Sequence, residues 1–190
     1  MNKNRTGGKI PEIILIVAIV FSLLAVICFG SVSILKTLYP RHYIEIVENE
    51  GQKNNLSEEF VFAVIKCESG FDPYAVSYLD AKGLMQIMPD TFDWLQWRLG
   101  EKLPEESLFE PETAIRYGCY LYGYLMEKFG SEATAVAAYH AGDACVEEWL
   151  SDERYSDDGK TLKDIPYPST KEYVAKVMRA KNIYQKLYYK

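Results

Sequence analysis

No stretch of this chain alternates apolar and polar residues in the two-residue rhythm of a half-buried strand, which excludes a sheet-based fold. Cysteine is sparse as well. Of four, Cys28 lies in an apolar run near the N-terminus, and the other three are Cys67, Cys119 and Cys145. An odd number cannot close a disulfide framework, and no spacing matches a zinc site. Thiols buried as small apolar groups are the expectation, with a single bridge such as Cys119 to Cys145 left open. There is no catalytic-triad signature, no phosphate-binding glycine loop, no internal repeat and no low-complexity segment. Basic residues are also short: 21 Lys and Arg against 27 Asp and Glu. Residues 1–36 hold four of the basic ones (Lys3, Arg5, Lys9, Lys36) and one acid (Glu12), so residues 37–190 have 17 basic against 26 acidic residues, net −9. A strongly acidic domain lacks the positive face that nucleic-acid phosphates require. No cofactor or metal is expected.

What the chain does have is ordinary globular composition, 48% hydrophobic and 25% charged over 190 residues, room for one domain and an extra segment. The extra segment is Ile13 to Leu35, 23 residues without a charge. As a helix it would extend roughly 35 Å, enough for the ~30 Å hydrocarbon core of a bilayer. Pro11 and Glu12 suit a helix's first turn. A cleaved signal peptide has a shorter apolar region, about 7–15 residues, although Ser31-Val32-Ser33 offers a small-residue cleavage site. Ile27 before Cys28 is too bulky for a lipidation motif. The run therefore reads as an uncleaved transmembrane signal-anchor. Lys3, Arg5 and Lys9 before it, against Lys36 and Arg41 after it, orient the N-terminus inward. The expected organisation is a cytoplasmic segment 1–12, a single-pass helix 13–35 in the cell membrane, and an extracytoplasmic domain 36–190.

In that domain the apolar period is helical throughout. A short helix is expected from about Arg41, broken near Gly51. A second runs from an N-cap at Ser57 to Ser69, stopped by Gly70. A loop 71–83 leads to a helix over about 89–99, ended by Gly100. Pro111 opens a helix to Gly130 whose buried stripe is Ile115, Cys119, Tyr122, Met126 and Phe129. Ser131 caps an almost wholly apolar helix, expected at the centre of the core. A short piece 144–150 and a charged loop 151–164 come next. Ser169 to Glu172 spells a capping box for a final helix to about Tyr188.

Glu68 breaks the pattern. Val61, Val64, Ile65 and Glu68 stand at i, i+3, i+4 and i+7, on one stripe of one helix. The acid thus shares the direction of core residues and occupies the helix's last turn. Desolvation and the negative end of the helix dipole both disfavour its charged form, so its pKa should rise. A carboxyl that keeps its proton near neutral pH at the mouth of a cleft can serve as a general acid. A terminal acid fraying into water is the plainer reading of the helix alone.

Four ordered motifs tip that balance: Glu68-Ser69; Gly83-Leu84-Met85-Gln86-Ile87-Met88-Pro89; Ala138-Tyr139-His140-Ala141-Gly142; and Ile165-Pro166-Tyr167-Pro168 with Tyr173-Val174. In order and spacing the chain resembles the catalytic domains of family 1 soluble lytic transglycosylases over about residues 45–188. The resemblance implies an all-α, lysozyme-like fold of the goose type. It implies cleavage of the β-1,4 bond between N-acetylmuramic acid and N-acetylglucosamine in peptidoglycan glycan strands, with a 1,6-anhydro ring formed instead of water consumed. By the same resemblance Glu68 is the single acid/base, and Ser69 sits beside it to hold substrate or carboxyl. Met85, Gln86, Tyr139 and His140 bind substrate. Tyr173 lies close to Glu68 and orients it. His140 departs from the Asn usual in that motif, which keeps hydrogen-bonding capacity but adds a group titrating near pH 6.5. Asp80 stands where many relatives carry Gly and reads as a surface turn residue.

Three rival readings differ in class. A muramidase would hydrolyse the same bond, and inversion would need a second carboxylate about 6.5–9.5 Å away; Asp72, Asp80 and Asp143 are the candidates, and reducing rather than anhydro ends would identify it. A non-catalytic glycan-binding module would have no use for a buried acid. An assembly component of an envelope-spanning machine is compatible with catalysis, since such systems carry transglycosylases.

Overall fold

The computed structural model describes the backbone of residues 9–189 and the side chains of residues 13–24 and 30–189. It falls into two units that divide after Pro40.

The first unit is helix α1, Lys9–Leu38, 30 residues long. Its described apolar side chains stand exposed, Ile13 through Leu24 and again Val32, Ile34 and Leu35. Among the described residues no helix is long and apolar enough to cross a membrane. The span expected over 13–35 is thus not borne out on those residues alone. Side chains 25–29, in the middle of it, lie outside the described set, as does the segment 1–8 assigned to the cytoplasm.

The second unit is all-α, with no strand among the described residues. Helix α2, Ile44–Lys53, runs straight through Gly51. The expected break is absent because Gly51 is a packing residue: a Cβ there would come within 3.1 Å of the Leu56 carbonyl oxygen. Helix α3 spans Glu58–Glu68. Ser57 has the extended backbone of an N-cap but its side chain makes no capping bond. The stop is as the sequence requires, Ser69 as the cap and Gly70 at φ 62°. Helix α4, Pro89–Leu99, ends at a left-handed Gly100. A 3₁₀ turn, Glu105–Phe109, has no counterpart in the sequence pattern. Helix α5, Pro111–Phe129, buries Ile115, Cys119, Tyr122 and Phe129, with Leu125 rather than Met126 completing the stripe. Helix α6, Glu132–Ala141, is capped by Ser131, whose Oγ accepts from Thr134 N at 3.4 Å. Its residues Thr134 to Ala138 are buried, as expected for a central helix. Helix α7, Asp143–Leu150, precedes the charged loop. Helix α8, Pro168–Tyr188, starts two residues earlier than a capping box at Ser169 would allow; Tyr167 is the cap, without a side-chain bond, and Pro168 takes the first helical position.

Helix α3 packs chiefly on α8, and α6 lies against α5, α7 and α8. The three described cysteines are all free thiols, so the Cys119–Cys145 bridge does not form. Only Cys119 is fully buried, and burial holds its thiol well above the usual range.

Candidate active site

The core of α3 is nearly complete: Phe60 through Ile65 are all at most 1% exposed. That leaves Glu68 as the acid at the end of an apolar stripe, where α3 lies against α8. The carboxyl accepts a hydrogen bond from the Tyr173 hydroxyl of α8, 105 residues along the chain. Burial raises its pKa from 4.5 to about 7; the Tyr173 bond and the nearby Lys176 charge act in the opposite direction without prevailing. Lys176 is a weak counterion because its Nζ donates at 2.8 Å to the Cys67 carbonyl, not to the carboxylate. The group is therefore half protonated near neutral pH, the state expected of a general acid and base in one.

Tyr173 is 9% exposed and its hydroxyl oxygen lies 3.2 Å from that of Tyr122 in α5. The Tyr122 ring stacks on Tyr139 of α6, centroids 4.1 Å apart and planes within 5°. The Tyr139 hydroxyl donates to the Met85 carbonyl at 2.6 Å. His140 lies against Tyr173 with centroids 4.7 Å apart, its Nδ1 3.0 Å from the Thr170 hydroxyl oxygen. Glu68, Tyr173, Tyr139 and His140 are thus brought together, and Tyr122 joins them. Periodicity alone places Tyr122 only in the core. A buried tyrosine where phenylalanine would pack equally well needs a hydroxyl partner, and that is the available signal.

Three expected site residues do other work. The Ser69 hydroxyl does not bond Glu68. It contacts the Leu84 and Ile65 carbonyls at 2.9 and 3.2 Å and accepts from Phe71 N at 3.1 Å, which ties the end of α3 to the following loop. Met85 is fully buried, so its side chain cannot meet substrate. It fills the space over Gly118, where a Cβ would stand 2.3 Å from its sulfur. Gln86 turns its amide NH2 back to the Ala75 and Gly83 carbonyls, both at 3.0 Å, leaving only its oxygen to offer. Gln86 has φ 50°, an uncommon conformation for a residue with a side chain. Gly83, at φ 74°, is obligatory: a Cβ would strike the Leu108 carbonyl oxygen of the 3₁₀ turn at 1.9 Å. Asp80, in place of Gly, keeps a glycine-like φ of 69° at the surface.

The rival carboxylates are occupied. Asp72 accepts from Tyr74 N at 2.9 Å in a local turn, Asp80 pairs with Lys82 at 2.6 Å, and Asp143 pairs with Lys128 at 2.7 Å. A cavity of about 430 Å³ adjoins the site through Tyr139 and is walled by Trp94, Tyr124, Thr91, Asp90 and Asp143; Glu68 does not line it.

The profile of the Transglycosylase SLT domain matches residues 45–162, well over half of the chain. The chain belongs to the SLT transglycosylase family. The matched segment contains Glu68, Ser69, Met85, Gln86, Tyr139 and His140 but stops short of α8 and Tyr173. Among relatives, the chain is 30% identical over 148 residues to the soluble lytic murein transglycosylase of Salmonella typhimurium, covering 76% of this chain and 23% of that protein. It is 37% identical over 117 residues to the membrane-bound lytic murein transglycosylase C of Haemophilus influenzae, 56% of this chain and 33% of that one. Its fold superposes with a TM-score of 0.71 and 30% identity on the lytic transglycosylase Slt of Pseudomonas aeruginosa, solved as an inactive glutamate-to-glutamine mutant, covering 80% of this chain and 25% of that one. The chain thus spans about a quarter of the length of the first of these relatives. Its fold is the all-α, lysozyme-like transglycosylase fold.

Proposed function

We propose that this SLT domain is a peptidoglycan lytic transglycosylase that cleaves the β-1,4 bond between N-acetylmuramic acid and N-acetylglucosamine with Glu68 as its only acid/base. The observation that carries the reading is a carboxyl with a pKa of about 7, bonded to Tyr173 while Asp72, Asp80 and Asp143 are engaged elsewhere. In the first half-reaction Glu68 gives its proton to the glycosidic oxygen, the C1–O bond breaks, and the N-acetylglucosaminyl alcohol leaves. In the second, the carboxylate takes the proton of the muramoyl 6-hydroxyl as that oxygen bonds to C1. The acid is regenerated, a 1,6-anhydro ring closes, and no water is consumed. We assign contact with sugar to the open side of the half-buried Tyr139 and to the Gln86 amide oxygen, which no described bond engages. The acidic surface offers an anionic wall no electrostatic attraction, so affinity comes from stacking and hydrogen bonds in the cleft. Mass spectrometry of material released from purified peptidoglycan tests the reading. The wild-type chain should yield anhydromuropeptides and Glu68→Gln essentially none, since general acid–base catalysis is worth about 10²–10⁴-fold. Reducing ends from the wild type would make it a muramidase instead.

Helix α1 we read as a single-pass anchor holding the domain outside the cytoplasmic membrane. Supporting this are a 30-residue helix, an uncharged run over residues 13–35 and exposed side chains such as Phe21 at 70% and Ile14 at 64%. The full chain should remain in the membrane pellet after an alkaline carbonate wash; release into the supernatant would remove the anchor.

A further inference from the structure

Tyr173 has one hydroxyl proton, and it goes to Glu68. In the 3.2 Å pair between the two tyrosines, Tyr122 is therefore the donor while the carboxyl is ionised. A phenolic O–H lies close to the plane of its ring, so the direction in which Tyr173 delivers its proton depends on the ring's orientation. The torsion that sets this orientation is intrinsically broad, so packing must fix it. One face of the Tyr173 ring is covered by His140, 4.7 Å away and inclined by 30°. His140 is itself held by Thr170, whose residue is 1% exposed. Thr170 and Tyr173 are three apart on α8 and so neighbours on one face, and the imidazole bridges that turn.

We infer that His140 is a positioning residue for Glu68: held by Thr170, its imidazole sets the ring plane of Tyr173 and thereby the hydrogen bond that Tyr173 donates to the carboxyl. The inference rests on the role proposed above for Glu68. It also accounts for the departure from asparagine in this motif, because an asparagine can keep the polar contact with Thr170 but has no ring to lay on Tyr173. Tyr173 and Lys176 from α8 act on Glu68, while Cys67 on its own helix, Tyr122 from α5 and Tyr139 from α6 are titratable neighbours whose own pKa values Glu68 raises. Of these, the described hydrogen bond to the carboxyl comes from Tyr173. That bond lowers the carboxyl's pKa, so loosening it must raise the pKa.

The test follows the Glu68 side-chain carboxyl by ¹³C NMR against pH in the full chain in detergent micelles, with kcat and KM on purified peptidoglycan measured alongside. Tyr173→Phe sets the upper limit of the shift. His140→Ala and His140→Asn should both titrate above wild type, while His140→Phe, which restores a ring but not the Thr170 contact, should return most of the way. The turnover of His140→Ala should fall about two- to tenfold, the worth of one aromatic pair, with KM near wild type. An unchanged Glu68 titration in His140→Ala and His140→Asn overturns the inference, as does a His140→Phe no closer to wild type than His140→Ala. So does a raised KM at constant kcat, which would make His140 a substrate contact. If the wild type releases no anhydro products, the proposed activity fails, while the titrations still decide the part His140 plays.

Discussion

Glu68 and Glu101 each accept a hydrogen bond from a tyrosine hydroxyl, yet their pKa values are driven in opposite directions, to about 7 and about 2. Glu101, just after α4, also takes both arms of the Arg116 guanidinium at 2.7 and 2.8 Å and the Tyr117 hydroxyl at 2.6 Å. Glu68 has a cation nearby, but Lys176 is committed to a backbone carbonyl. The tyrosine bond is common to both and does not decide the outcome. Whether a cation reaches the oxygens, and how much water has been removed, decides it. One carboxylate is a structural anion; the other is kept uncommitted in charge.

The two acids leave opposite signatures in stability. Glu68 has a folded pKa above its unfolded value, so its proton is held more tightly in the native state. Its contribution is fully present below about pH 4.5 and lost as pH rises through about 7. Glu68→Gln removes that loss. Its stability relative to wild type should grow between those pH values by at most about 3 kcal/mol, measured by urea unfolding of the full chain in mild detergent. A flat difference would mean that Glu68 titrates normally. The smaller effect belongs to Glu101, whose folded pKa is depressed, so its contribution is present above about pH 4.5 and lost as pH falls through about 2. Arg116→Met should destabilise by about 1 kcal/mol at neutral pH, because both side chains of the ion pair are about a third exposed. That deficit should fade on acidification through the same window. A deficit independent of pH would assign the loss to packing of Arg116 over Tyr117.

The acid itself is legible in sequence because a helical stripe obeys one period, and α3 keeps it from Val61 to Glu68. Helices α4 and α5 begin and end where proline and glycine require. Loop residues are not legible in the same way. Ser69 and Gln86 are expected to face substrate, but a hydroxyl and an amide beside backbone carbonyls are recruited by them first, since a carbonyl oxygen that already holds one N–H has a second lone pair to accept with. Met85 sits inside a matched motif for what it fills, the gap over Gly118. The 3₁₀ turn has no periodic signature at all; it is fixed by Leu108 resting on Gly83, a contact between segments that no local pattern encodes.

Glu68 and Tyr173 come from helices α3 and α8, 105 residues apart. A polypeptide emerges from its N-terminus, so the acid is made long before the tyrosine that addresses it. Until α8 arrives, α3 lacks the helix it chiefly packs against, and the end of the stripe stays open to water. A nascent chain halted anywhere before Pro168 lacks both the helix that α3 chiefly packs against and the tyrosine that addresses the glutamate. The site is closed by a helix made about a hundred residues after its acid, so its assembly waits on chain far beyond Glu68.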